Sequence, residues 1–494
     1  MAETSFLHPD RLFPISSTQR DICRDLYNGV KDFPIISPHG HTDPRWFAGN
    51  ANFSNPTELF IIPDHYVLRM LYSQGVSMED LGLKPKDGGD YETDPRKVWK
   101  TFARYYYLFA GTPSRIWWDH VLSEVFGIKT PLSETSADAI YDVIDAALAS
   151  DAFKPRALLD KFNIALIATT EGALDDLSHH RAMVGSGYED RVITTFRPDD
   201  VIDASKPEFA VNLKKLGELT DCNTQDWSGY LDALRIRRQY FREAGRATAT
   251  DHGHPTAQTA DLSAVECQTL LSLCLSGEAT EADCELFRAQ MLTEMAGMSV
   301  EDGMVMQIHP GSYRNHNTKL YERFGADKGA DIPTAIHYTE ALQPLLAKHG
   351  NDPRLKVILF TLDESNYARE LATLAGHYPC LKLGPPWWFH DSPNGMMRFR
   401  DQVTETAGFY NTAGFNDDTR AFLSIPARHD VARRMDCVYL SQLVCEHKIT
   451  LDEAKRILVD LTYNLARDAY NLNLPRKSVQ GQSAQGQSAQ EKSA

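Results

Sequence analysis

Phe33-Pro-Ile-Ile-Ser-Pro-His-Gly-His41 is the stretch on which the fold turns. A short apolar, β-branched run followed at once by two histidines reads as a covered strand whose C-terminal end carries chemistry. Runs of the same kind recur at residues 164–169, 191–196, 304–308, 356–361, 380–384 and 413–416, with a weaker one at 246–250. Helical patterns separate most of them, as at 283–298 and at 334–349, where Gly350-Asn351 marks a stop. Strand alternating with helix predicts parallel βαβ units, and eight strands predict a (β/α)8 TIM-like barrel. The competing doubly wound open sheet lacks support because no G-x-G-x-x-G follows a strand.

A (β/α)8 barrel needs only about 250 residues, and the chain has 494. The excess falls between the first two strands, where 95–108 and 137–149 carry helical patterns. This predicts a large helical insertion after strand 1, at about 45–155, capping the barrel mouth. The expected organisation is an N-terminal arm and helix over 1–32, the barrel over 33–475 and a disordered tail over 476–494. The tail repeats Gln480-Gly-Gln-Ser-Ala484 and has too little apolar surface to offset backbone ordering.

Lys and Arg number 51 against 67 Asp and Glu, a net charge of −16. That balance argues against nucleic acid or an anionic membrane as partner. No apolar run approaches the roughly 18 residues of a membrane span. The first residues show neither a basic end nor an apolar secretory core. Eight Cys without a C-x-x-C pair suggest no disulfide framework or zinc ribbon. The expectation is a soluble cytoplasmic enzyme.

In such a barrel the chemistry lies at the C-terminal strand ends. The predicted ends read His39-Gly-His41, Arg197-Pro-Asp199, Asp251-His252, His309-Pro-Gly311, Pro386-Trp387-Trp388 and Asp417-Asp418-Thr419-Arg420. In a strand, residues i and i+2 share a side, so His39 and His41 can converge on one ion. Neutral imidazole suits zinc and other first-row divalent ions. Closing the barrel sets strand eight against strand one, which would bring Asp418 beside the two histidines as a third metal ligand. His179-His180 read instead as a solvated helix face, and Arg235, Arg237 and Arg238 as surface ion pairs on a predicted helix. His252-Gly-His254 reads as loop, and Asp251 and His252 carry less weight than the residues above.

Together, Ser37-Pro-His-Gly-His-Thr-Asp-Pro44, Pro63-Asp-His-Tyr66, Thr195-Phe-Arg-Pro-Asp199, Trp387-Trp-Phe-His-Asp391 and Asp417-Asp-Thr-Arg-Ala-Phe-Leu-Ser424 resemble the uronate isomerase family of the amidohydrolase superfamily. The resemblance spans about residues 6–475. It implies aldose–ketose interconversion of glucuronate with fructuronate and of galacturonate with tagaturonate, by proton transfer between C2 and C1 through a cis-enediol. It also implies one divalent metal, zinc by donor chemistry, a uronate as the small-molecule partner, and a homo-oligomer. Many hydrolases of the superfamily carry a carboxylated Lys after strand four and a His after strand six. Here those ends are Asp251-His252 and Thr361-Leu-Asp363, which argues against a binuclear hydrolytic site. The rival reading is a metal-dependent hydrolase of an amide, ester or lactone.

An anionic sugar acid calls for guanidinium clamps. Arg197 and Arg420 take that role by position and by resemblance, and Trp387 is expected to wall the sugar and donate its indole N–H to a hydroxyl. Asp418 is expected to serve as ligand or as ring-opening base. His65 and Tyr66 would reach down from the insertion as a proton shuttle if the local field lowers the phenol pKa. His309 is expected to be catalytic or to touch substrate.

Overall fold

The structure, a computed structural model, describes residues 7–479; the part of the predicted tail from Gln480 onward lies outside them. Seven parallel strands follow one another around a curled sheet in sequence order. They are β1 (Ile35–Ser37), β2 (Ile164–Gly172), β3 (Val192–Arg197), β4 (Ala249–His252), β5 (Val305–Ile308), β6 (Val357–Leu359) and β7 (Leu381–Leu383). In-order parallel pairing with helices between strands is the topology of the predicted (β/α)8 barrel. Ile36, Leu166, Ile193, Ala249, Val305 and Ile358, one from each of β1–β6, join a single buried cluster. Phe196, Met306, Ile308 and Leu359, at alternate parity, pack outward against the helices.

The eighth position departs from the sequence expectation. Residues 413–416 form no regular strand; Thr412 makes a single parallel bridge to Leu383. Gly414 sits at φ +74°, a conformation that breaks a ladder. A Cβ there would lie 2.8 Å from the backbone nitrogen of Ala466, so a neighbouring helix occupies the space beside it. The ring is drawn together further on, where the His41 amide donates to the Thr419 carbonyl at 3.1 Å.

Between β1 and β2 the chain runs through a series of short helices. Several start at a proline behind a capping side chain: Asp43 before Pro44–Gly49, Asn55 before Pro56–Phe60, Asp94 before Pro95–Arg104 and Thr112 before Pro113–His120. Their apolar faces, including Phe60, Leu68, Trp99, Phe102 and Trp118, share a cluster with Ile35 and Ile164 of the barrel. A second excursion follows β5. It contains an antiparallel ribbon, Ser312–Tyr313 with Ile332–Pro333, and the helix Thr318–Phe324. Leu320 of that helix enters the insertion's cluster, and Arg323 pairs with Glu79 at 2.7 Å. The two excursions therefore pack on each other over the strand ends.

Candidate active site at the strand ends

A cavity of about 510 Å³ opens at the C-terminal ends of the strands, beneath the two excursions. That volume accommodates a small molecule. His39 and His41 line it immediately after β1, with Asp418 across from them. Their Nε2 atoms lie 3.5 and 3.2 Å from Asp418 Oδ1. Gly40, between the two histidines, packs on the Thr419 backbone, with room there for a Cβ in ordinary contact at 3.4 Å, and its carbonyl accepts from Thr170 Oγ1 at 2.9 Å. Asp418 is a non-glycine residue at φ +38°, a strained conformation of the kind held at functional sites.

The three donors fit a divalent ion. One atom from each lies within 4.8 Å of the others. Their spacings match the ~3.3 Å separating neighbouring ligands of a tetrahedral ion with bonds of about 2.0–2.1 Å. Asp418 Oδ1 is buried without a hydrogen-bond partner. Burial lowers the pKa of His39 against the opposing pull of Asp251 and Asp418, keeping the imidazole neutral as coordination requires. Burial alone would raise the Asp418 carboxyl, but His41, His39 and His309 together hold it below its ordinary value.

Asp251 stands at the centre of the site. It is fully buried and lies 2.7 Å from His309 Nε2, 3.2 Å from Arg197 Nη1 and 3.9 Å from His39 Nε2. His309 and Arg197 both line the cavity. The Arg197 Nε donates to Asp199 Oδ2 at 2.9 Å, so Asp199 and Asp251 hold two edges of its guanidinium. Its Nη2 passes close to Gly253, where a Cβ would come within 2.3 Å of it and 2.9 Å of His309 Cε1.

The helix His65–Tyr72 brings His65 and Tyr66 into the cavity wall. Asp64 caps it, accepting from the Tyr66 and Val67 amides at 2.8 and 3.2 Å, which pins both side chains at its first turn. His65 stacks on Trp388 and meets Tyr66 edge to face. Burial and then Arg420 bring the His65 pKa down to about 3, so this ring is neutral near pH 7. Burial raises the Tyr66 phenol against the influence of Arg428. The condition for a proton shuttle, a lowered phenol pKa, is therefore not met, and Tyr66 is a neutral hydroxyl.

Trp387 also departs from expectation. Its indole N–H donates to the Thr361 carbonyl at 3.1 Å, leaving no donor for a sugar hydroxyl, while its ring packs edge to face on His309 as a wall. Arg420 faces the cavity with one nitrogen on Asp327 at 3.1 Å.

Arg314, Asp327, Asp331 and Arg428 also line the cavity; none of the four stands among the strand-end residues named from the sequence. Arg428 is buried between Asp391, at 2.5 Å, and the face of Trp117, at 3.6 Å. Burial pushes Asp391 up to about 6 against the lowering by Arg428. The available signal was Asp391 itself, inside a quoted motif, together with Arg314 near the end of β5. Elsewhere, His180 is buried against Thr169 Oγ1 rather than solvated. Arg235 makes the expected surface ion pair, with Glu301, but Arg237 and Arg238 are buried, the first on the Ala173 and Asp175 carbonyls and the second paired with Asp302.

Imidazoles and a carboxylate at the ends of the first and last barrel positions, with guanidinium groups in the same cavity, define a (β/α)8-barrel protein with an enzyme-like site at its strand ends. The family model for glucuronate isomerase matches residues 13–470. The uronate isomerase of Phenylobacterium zucineum is 60% identical over 96% of this chain and 98% of its own length. Among solved structures, the glucuronate isomerase of Caulobacter crescentus is 58% identical, with a TM-score of 0.92 over 96% of this chain and 99% of that one. The uronate isomerase of Thermotoga maritima is 27% identical, with a TM-score of 0.87 over 94% of this chain and 99% of that one. The chain belongs to the glucuronate isomerase family and is an isomerase. No helix among the described residues is long and apolar enough to cross a membrane.

Proposed function

We propose that the chain interconverts D-glucuronate with D-fructuronate and D-galacturonate with D-tagaturonate. The observation that carries the reading is the convergence of Arg197, Arg314, Arg420 and Arg428 on one cavity in a chain of net charge −16. Aspartates line the same cavity and pair with these guanidiniums, so the pocket offers a ligand directed N–H donors rather than a net positive field; planar guanidinium suits a carboxylate. Arg197 and Arg420 bind the substrate carboxylate. Arg197 is fixed by two aspartates, and Arg420 keeps donors turned to the cavity.

Asp418, held ionised, takes the hydroxyl proton that opens the sugar ring. His309, oriented by Asp251, removes the proton from C2 and returns it to C1 while a hydroxyl proton moves between O2 and O1, so that atoms balance through a cis-enediol. Tyr66, as a neutral phenol, and His65, as a neutral imidazole, hold the sugar oxygens, and Trp387 excludes water from one side. His39, His41 and Asp418 would hold the divalent ion, with zinc favoured by two imidazoles and a carboxylate. When bound, that ion supplies electrophilic stabilisation of a substrate oxygen.

The working assembly is a cytoplasmic homo-oligomer. The hydrolase reading is disfavoured by the family match. In the test, Arg197→Ala and His309→Ala each lower kcat/KM for glucuronate by about 10²-fold or more with an unchanged circular dichroism spectrum. Wild-type kinetics in either variant refutes the assigned role.

A further inference from the structure

A second group of ligand atoms lies on the opposite face of β4. Ala249 and Asp251 point into the barrel, where Ala249 joins the interior cluster and Asp251 meets His309. The two-residue period sends Thr250 and His252 outward. His252 is fully buried; its Nε2 lies 3.0 Å from Thr250 Oγ1, and its Nδ1 has no hydrogen-bond partner. Two residues on, His254 is only 3% exposed, and neither of its ring nitrogens has a hydrogen-bond partner. Its Nε2 sits 4.0 Å from Asp199 Oδ1. One donor atom from each of Asp199, His252 and His254 lies within 4.8 Å of the other two.

Buried polar atoms are nearly always paired, because leaving one unpaired costs its full desolvation. Here three imidazole nitrogens on two close side chains are unpaired, and a carboxylate stands beside them. We propose that Asp199, His252 and His254 form a second divalent-cation site, separate from His39, His41 and Asp418 and sharing no residue with it. Two imidazoles and one carboxylate favour zinc and other borderline first-row ions. Thr250 Oγ1 is placed to accept the other ring proton of His252, the usual outer support of a metal-bound imidazole. Asp199 lines the cavity, which gives an ion a route in.

The geometry also ranks the two sites. A separation of 4.0 Å exceeds the ~3.3 Å of a tetrahedral pair, so the donors must draw in. Arg197 competes for the same carboxylate. The second site is accordingly the weaker. Its ion ties Asp199, two residues beyond Arg197 at the end of β3, to His252 and His254, which flank Gly253 at the end of β4.

The test reads metal content, not activity. Chelator-stripped protein is dialysed against rising free zinc, and zinc per chain is measured. Wild type should take up one equivalent and then, at higher zinc, a second. His254→Gln should lose only the second, and His41→Ala should retain it. A wild type that saturates at a single equivalent, itself lost in His41→Ala, overturns the proposal, as does a His254→Gln protein that still binds both. Circular dichroism checks each variant. Should His254→Gln not fold, the wild-type stoichiometry and the equivalent retained or lost in His41→Ala decide the matter.

Discussion

At the scale of the residue, the site depends on small side chains as much as on charged ones. Gly253 leaves room for the Arg197 guanidinium between Asp199 and Asp251. Gly253→Ala would drive a methyl group to 2.3 Å from Nη2, and a misplacement of about an ångström at a clamp can cost ~10²-fold. We predict that kcat/KM falls by about that factor with the fold intact, measured by steady-state kinetics and circular dichroism. Arg197→Lys should fail similarly, because an ammonium cannot meet both aspartates and a planar carboxylate at once. His39, His41, Arg197 and Asp418 were legible from the sequence as residues immediately following apolar runs. Asp251 was underweighted because the run before it is weak, although its inward parity follows from the two-residue period. Asp327, Asp331 and Arg428 could not be found that way, since the excursion after β5 and a long helix deliver them.

Elements show where local pattern and tertiary context diverge. The helix expected over 334–349 is only Gln343–His349; Pro333 joins the ribbon and Pro344 starts the helix, both suiting proline's fixed φ. The helix expected over 283–298 runs from Glu281 to Asp302, closed by a Thr280–Asp283 capping box that the sequence carries openly. The N-terminal arm and the helix Ser17–Val30 meet Ile425–Cys445 at several polar contacts, among them Gln19 and Cys23 with Ser441 and Arg434 with the Pro9 carbonyl, and one acid gathers three more. Asp430 meets Arg11 at 2.5 Å, Arg434 at 2.9 Å and the Tyr27 hydroxyl. Removing one partner of a buried charge network leaves the others uncompensated, at about 3–5 kcal/mol. Asp430→Ala should therefore lower unfolding stability by roughly that amount and expose the arm to limited proteolysis; a stability change below ~1 kcal/mol would contradict the assignment.

For the whole molecule, barrel closure decides function. Residues 39 and 418 meet only because the last barrel position returns to the first. The sequence could announce eight strands, but not that the eighth would shrink to one bridge around Gly414. Burial of titratable groups sets the pH response of the entire fold. His120 lies against Arg11 and Asp430, and burial brings its pKa down from 6.5 to about 4 despite the opposing effect of Asp430. Between those values the unfolded chain takes up a proton that the native protein does not, so stability is complete above about pH 6.5 and falls as pH drops toward 4. The slope is up to ~1.4 kcal/mol per unit for one such group. Burial acts in the same direction on His65 and His252 and in the opposite direction on the carboxyls of Glu171 and Asp391, raised to about 7 and about 6, so the contribution of His120 is read from the difference between wild type and variant. Urea midpoints should fall between about pH 7 and pH 5, and His120→Asn should flatten the dependence; an unchanged slope in the variant would remove His120 from this account.

The central claim is that the cavity moves a proton between C2 and C1 of a hexuronate. Its most direct measurement is nuclear magnetic resonance of the protein with D-glucuronate in deuterium oxide. The account predicts a ketose that accumulates to equilibrium without loss of substrate mass and carries solvent deuterium at C1. No ketose from glucuronate or galacturonate, or a product formed with loss of substrate mass, would contradict it.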